Sequence, residues 1–221
     1  MNAIGTVFEA VQSGDVEGLR RLIESDPGLA TARNDLGLSI LLHARHHWRL
    51  DMVEILLAVD PPLDACEAAA LGRADRLRAL LDEDASRVDD WSANGFTPLH
   101  LAAYFSQPST VELLLERGAD ASAASRNPMM VTPLHSAAAS GNHAICAMLL
   151  DHGAPVNARQ QGGWTPLFSA AARGDAELVR LFLEHGADHT LTQAEGKTPC
   201  DIAAERGHRM VVGIFQKAAA A

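Results

Sequence analysis

The sequence predicts an all-α solenoid of about seven stacked helix–turn–helix units. Three observations carry that prediction. A Thr-Pro dipeptide recurs with its threonine at 97, 132, 165 and 198, in steps of 35, 33 and 33 residues, and a fixed period of this size marks a repeat array. Five positions after each threonine stands an alanine: Ala102, Ala137, Ala170 and Ala203. A small residue held at one register position implies two helices too close for a larger side chain. Seventeen positions on stands a large apolar residue, Leu114, Leu149, Phe182 and Phe215, as expected of a second helix that presents one face to a shared core.

Taken in order, the first three units follow the same register without the threonine. Gly5, Ser39 and Leu63 stand in its place, followed by Ala10, Ala44 and Ala68 and then by Leu22, Leu56 and Leu80. First helices are therefore predicted near 4–13, 39–47, 63–71, 98–105, 133–140, 166–173 and 199–206. Second helices follow near 15–25, 49–58, 73–83, 108–117, 142–151, 175–184 and 208–218. The units are approximately 1–35, 36–62, 63–94, 95–129, 130–162, 163–195 and 196–221, forming a single repeat domain over 1–221. Thr caps a helix start through its hydroxyl, and Pro suits the first helical position. Pro108 opens a second helix, where it is tolerated. The turn residue nine positions on is Gly14, Gly72, Gly141, Gly174 or Gly207, which suits a positive φ. Trp48 and Ser106 occupy that place in two units, so altered turns are expected at both.

Thr-Pro-Leu-His at 97–100 and 132–135, then alanines, a glycine and an apolar run closing on Gly-Ala-Asp, resembles the ankyrin repeat. The four clear units carry the resemblance strongly, and the first three carry it in degenerate form. The overall character resembles stand-alone bacterial ankyrin-repeat proteins, in which an opening like Glu67-Ala68-Ala69-Ala70 recurs. The resemblance implies that His100 and His135 bond back among the helix caps. Phe168 and Asp201 replace that histidine, so the ladder should be incomplete in the last two units. It also implies β-hairpin fingers near 26–38, 85–96, 119–131, 153–164 and 186–197. The step from Ser39 to Leu63 is only 24 residues, so the finger between units 2 and 3 should be missing. Asp60-Pro61-Pro62 fills the gap, and its prolines exclude a strand ladder. The solenoid is expected to bend there, and its first two units should be the least regular.

Composition narrows the function. The chain has 221 residues with a formal net charge of −10, which disfavours nucleic acid or an anionic membrane as partner. Its residues are 48% hydrophobic but only 5% aromatic, so the core must be aliphatic and small. Cys66, Cys146 and Cys200 fall on predicted helices with no zinc-ligand spacing, which suits reduced thiols in a cytoplasmic protein. Met1–Gly5 shows no basic leader and no stretch is long enough to span a membrane. Gln12, Glu17, Arg20, Arg21 and Glu24 give the first unit a polar outer face, as a terminal repeat needs. The closing alanines should be frayed.

The resemblance places a concave binding surface on the finger tips and the inner faces of the first helices. Trp91, Phe96, Tyr104, Phe105, Met129, Met130 and Trp164 gather there by position, flanked by Arg126, Arg159 and Arg173. Exposed aromatics and methionines with a cationic rim suit a protein interface. Tyr104 and Phe105 are expected to point into the groove. For Phe96 and Trp164, groove exposure and packing between neighbouring fingers are both open. His43 and His47, four apart, share a helix face with the spacing of two metal ligands, and His46 lies beside them; surface and groove histidines are the simpler reading. No G-x-S-x-G, Walker loop or G-x-G-x-x-G occurs. The sequence thus predicts a non-enzymatic, cofactor-free monomer that binds a protein or peptide carrying a basic patch. The alternatives are a metal-dependent protein or enzyme using His43, His46 and His47, or a self-associating structural protein.

Overall fold

A computed structural model describes residues 3–220. Met1, Asn2 and Ala221, from the N-terminal segment and the alanine tail, lie outside the described residues. Fourteen α-helices form seven antiparallel pairs among them: α1 (Ala3–Ser13) with α2 (Val16–Ser25), α3 (Ile40–His46) with α4 (Leu50–Leu57), and α5 (Ala65–Ala70) with α6 (Ala74–Glu83). Then come α7 (Pro98–Tyr104) with α8 (Pro108–Glu116), α9 (Pro133–Ser140) with α10 (His143–Asp151), α11 (Pro166–Arg173) with α12 (Ala176–Glu184), and α13 (Pro199–Glu205) with α14 (Arg209–Ala218). The predicted pairs are all present, and α14 extends into the alanine tail as far as Ala218.

Burial follows the repeat register. All seven register alanines are buried, and so are the apolar residues at position seventeen apart from half-buried Leu22, whose neighbour Ile23 is buried instead. Cys146 lies in the core, and burial pushes its thiol up to about 12, far from the thiolate range needed for reactivity. Cys66 is buried and its thiol is likewise raised, while Cys200 is half-buried.

The turns at Trp48 and Ser106 correct the sequence-based expectation. Trp48 adopts φ 57° and Ser106 φ 55°, close to φ 73° at Gly141. In each case the next backbone N–H donates to the carbonyl of the register alanine: Arg49 to Ala44 at 3.0 Å and Gln107 to Ala102 at 2.9 Å. The equivalent bond after Gly174, from Asp175 to Ala170, is 3.0 Å. A buried carbonyl must be satisfied, so the pair geometry imposes the left-handed residue even where it is not glycine. The cost is about 1–2 kcal/mol at each position.

The connecting loops lie where fingers were expected. Their tips close through backbone bonds such as Ser92 N–H to Phe96 O at 2.9 Å and Gln193 N–H to Lys197 O at 3.0 Å. Neighbouring loops also bond to each other: Arg126 N–H to Gly95 O at 2.9 Å, Gln161 N–H to Met129 O at 2.8 Å and Ala194 N–H to Gly162 O at 2.8 Å. No strand forms among the described residues. One isolated antiparallel bridge joins Arg33 and Ser39, because each tip supports too few bonds for a ladder.

Two large apolar clusters fill the interior. One runs through units 3 to 7, from Ala65 to Phe215. The other belongs to units 1 and 2, from Val7 to Leu56. Half-buried Leu63 packs against both. The short loop through Asp60 (φ 48°), Pro61 and Pro62 leaves the first finger and the next one in direct approach: a Cβ on Gly37 would stand 3.5 Å from that of Ala93. A third, small cluster bridges the same place on the concave side, where Leu42, Ala70 and Phe105 meet. Units 2 and 4 therefore touch across unit 3, whose inner helix is six residues long and carries alanines at 68–70.

Candidate partner-binding groove

The groove floor is fixed by the helix caps. Thr97 Oγ1 lies 2.7 Å from His100 Nδ1, and His100 Nε2 lies 2.9 Å from Val131 O in the next loop. Thr132 and His135 repeat the arrangement, with 2.9 Å to Nδ1 and 3.1 Å from Nε2 to Trp164 O. The threonine N–H donates to Nδ1 in both units, so Nε2 carries the proton and donates to the carbonyl. Burial lowers both imidazoles to about 4, and they stay neutral near pH 7. Each histidine thus ties one unit to the next. At Phe168 this tie is lost, and Thr165 Oγ1 is left buried without a partner. Asp201 closes its own box instead, accepting from Thr198 Oγ1 at 2.7 Å. Unit 3 uses Asp64 and Glu67 for the same purpose.

On this floor, between α7, α9 and the adjoining loops, lies a cleft of about 310 Å³, lined among others by His46, Phe96, Leu101, Tyr104, Met129 and Ala139. Its exposed lining is mainly apolar, with His100, His135, Ser136, Gln160 and Ser169 also bordering it. A larger open hollow of about 910 Å³ lies beside the missing finger, but Asp60, Arg73, Asp75 and Arg76 line it and it is distant in register from the aromatic residues. An apolar, walled cleft is the better candidate for holding a ligand group.

Of the ten residues singled out in the sequence, Phe96, Tyr104 and Met129 come together at the cleft. Tyr104 is 36% exposed, Met129 50% and Met130 52%. Phe105 does not point into the groove: it is only 3% exposed. The alanines of α5 leave room for its ring, which packs edge-on to Trp48 and Tyr104 at centroid distances of 5.8 and 5.0 Å. Phe96 and Trp164 are both half-buried. Trp164 leans on Phe168 at 5.2 Å and Phe96 on His100 at 5.8 Å. Half-buried Trp91 carries the Arg126 guanidinium 4.1 Å above its ring. Arg159 and Arg173 are exposed, yet each spans two units, donating to Thr192 O at 2.6 Å and to Ala139 O at 3.1 Å.

His43 and His47 stack edge to face with centroids 4.5 Å apart, and His43 also lies 5.0 Å from Phe8. His46 lines the cleft with Nε2 3.2 Å from Asn94 Nδ2. Burial, then the fields of His43, His47 and Arg45, lower His46 to about 4. Among the described residues, no group of three His, Cys, Asp or Glu side chains is placed to hold a metal ion.

Sequence reasoning missed Arg45, which is only 8% exposed. Its Nε donates to Ala70 O at 3.3 Å and its Nη2 to Phe105 O at 3.4 Å. Its guanidinium carbon lies 4.4 Å from the Phe105 ring centroid and 5.5 Å from that of Trp48. The signal was present in the register. Six positions on, where units 3 to 7 carry Ala69, Ala103, Ala138, Ala171 and Ala204, unit 2 alone has an arginine.

Stacked helix pairs with a concave groove are the architecture of a repeat-built binding scaffold. The family model for ankyrin repeats (3 copies) matches residues 7–125, 65–160 and 134–219, and the chain belongs to the ankyrin-repeat family. It is 29% identical over 120 residues to the zebrafish (Danio rerio) Ankyrin repeat and SAM domain-containing protein 6, covering 50% of this chain and 16% of that protein. It is 29% identical over 171 residues to the rice (Oryza sativa subsp. japonica) E3 ubiquitin-protein ligase XB3, covering 52% of this chain and 38% of that one. With human (Homo sapiens) GA-binding protein subunit beta-1 it shares 40% identity over 60 residues, 27% of this chain and 15% of the other. In each case the match spans less than two fifths of the relative's own length.

Proposed function

We propose that this chain is a non-enzymatic binding module that holds a protein or peptide partner in its concave groove. Ankyrin repeats are generally protein–protein interaction modules. The observation that carries the reading here is the apolar cleft edged by exposed Tyr104 and Met129. A binding surface on stacked, mutually capped units loses little entropy on association, so a modest area gives useful affinity. Exposed Met130 and Arg126 extend the surface along one loop, and half-buried Trp91, Phe96 and Trp164 border it. Phe105 supports Tyr104 from below and makes no direct contact in this reading. The net charge of −10 steers a partner that is basic overall. The protein acts as a cytoplasmic monomer in this proposal.

Affinity capture from native lysate tests it, with wild type beside Tyr104→Asp/Met129→Asp, both verified as folded by circular dichroism. The wild type is expected to retain a partner that the double variant loses. Equal retention by both would remove the groove from the interaction.

A further inference from the structure

One end of the groove holds a guanidinium, that of Arg45, which no acid of the protein pairs with among the described residues. Arg45 and its neighbours His43, His46, His47 and Arg49 fall within residues 43–49, on α3 and the turn that follows. Among the described residues, none of them forms an ion pair; the arginines that do are Arg20, Arg33, Arg87 and Arg117. Among the described residues, the buried Arg45 guanidinium meets carbonyl oxygens and aromatic faces and no carboxylate. No carboxylate offsets the downward pull of His43, His47 and Arg45 on His46. Glu67, the buried acid of the neighbouring unit, is engaged by Arg33 and by its own helix cap. A buried guanidinium without a counter-charge is costly, and in a chain of net charge −10 its isolation from acids is notable. The set is continuous with the apolar cleft, because His46 and Tyr104 line the cleft and Trp48 touches Tyr104 at a centroid distance of 6.3 Å.

We infer that the groove selects a peptide segment in which an apolar side chain fills the cleft and a nearby Asp or Glu carboxylate rests on the Arg45–His46–Trp48 rim. The inference rests on the groove reading above and adds the chemistry of the occupant. A carboxylate there completes an ion pair whose cationic half is already desolvated and held by its carbonyl bonds, so little reorganisation opposes it. A partner that is basic overall and acidic at this one contact satisfies both the long-range field and the local one.

A random linear peptide library selected on the wild type, with counter-selection on Tyr104→Asp/Met129→Asp, tests the inference. Enriched peptides are expected to pair an apolar residue with an Asp or Glu. Replacing that acid by its amide should weaken binding to the wild type by about tenfold, the loss expected for a charge-assisted contact. On Arg45→Gln, the acid peptide and its amide analogue should bind alike. His46→Ala and Trp48→Ala, which leave the buried guanidinium in place, should narrow the difference if Arg45→Gln does not fold. Groove-dependent peptides with no acidic preference, or a preference undiminished in every rim variant, would overturn the inference and leave the groove reading standing. Failure to enrich any groove-dependent peptide would overturn both.

Discussion

Units 4 to 7 and units 1 to 3 solve the same packing problem by different means. In the later units the threonine caps recur with the period, the imidazoles of units 4 and 5 each tie to the carbonyl of the next loop, and adjacent loops join through repeated short bonds. In the earlier units the caps are Ser39 and Asp64, one finger is missing, and α3 lies against α5 far less extensively than α7 against α9. Long side chains take over there. Arg45 reaches from unit 2 to Phe105 O of unit 4, and Arg33 reaches Asp64 at 2.8 Å. Regular repeats satisfy their polar groups with nearest neighbours, as a one-dimensional array does. Where the period breaks, individual side chains must bridge longer distances, and the chemistry becomes particular to this chain.

The largest expected effect probes whether the two regions unfold separately. Leu149→Ala, in the cluster of units 3 to 7, should lower stability by about 2–5 kcal/mol in urea denaturation. Leu56→Ala should carry a similar local cost in the other cluster yet leave amide protection over 97–184 intact. Loss of protection in both regions together would break the distinction.

Acidification should weaken the histidine-tied units next. His100 and His135 titrate near pH 6.5 when unfolded and at about 4 when folded. Between those values the unfolded chain binds more protons, so stability is complete above pH 6.5 and declines as pH falls towards 4. Each histidine contributes up to about 3 kcal/mol to that decline. Denaturation midpoints between pH 7 and pH 4.5 measure it, and His135→Gln should flatten the slope.

A smaller contrast separates a satisfied cap from an orphaned one. Thr132→Val should cost about 1–2 kcal/mol, since it strips His135 Nδ1 of one partner. Thr165→Val should be nearly neutral, because that hydroxyl is already unpaired. Thermal melts of the two variants side by side would show whether the histidine ladder carries the difference. Smallest is Ser106→Gly, which should stabilise by about 0.5–1 kcal/mol by relieving a positive φ. A loss of stability would mean that the turn is not strained.

The pairs were legible because a period of 33 residues constrains each position many times over. Ala102 alone says little; the same alanine in seven units says that two helices meet there. The site was legible only in part. The register brought Phe96, Tyr104 and Met129 to one surface, but it could not show that Phe105 turns inward, since that depends on the size of the α5 side chains in the neighbouring unit. Trp48 and Ser106 misled for a related reason: local preference favours glycine, and the carbonyl of the register alanine overrides it.

The sequence by itself therefore determined the helix pairs, the threonine caps, the short connection after the second pair and the family. Those features follow from local propensity and from spacing, both of which can be read along the chain. Only the tertiary structure decided which aromatics remain exposed, how the first finger meets the next, and that Arg45 lies buried with no acid beside it. These depend on how far units 2 and 4 can close over a helix of alanines, and that distance is set by packing between segments some sixty residues apart.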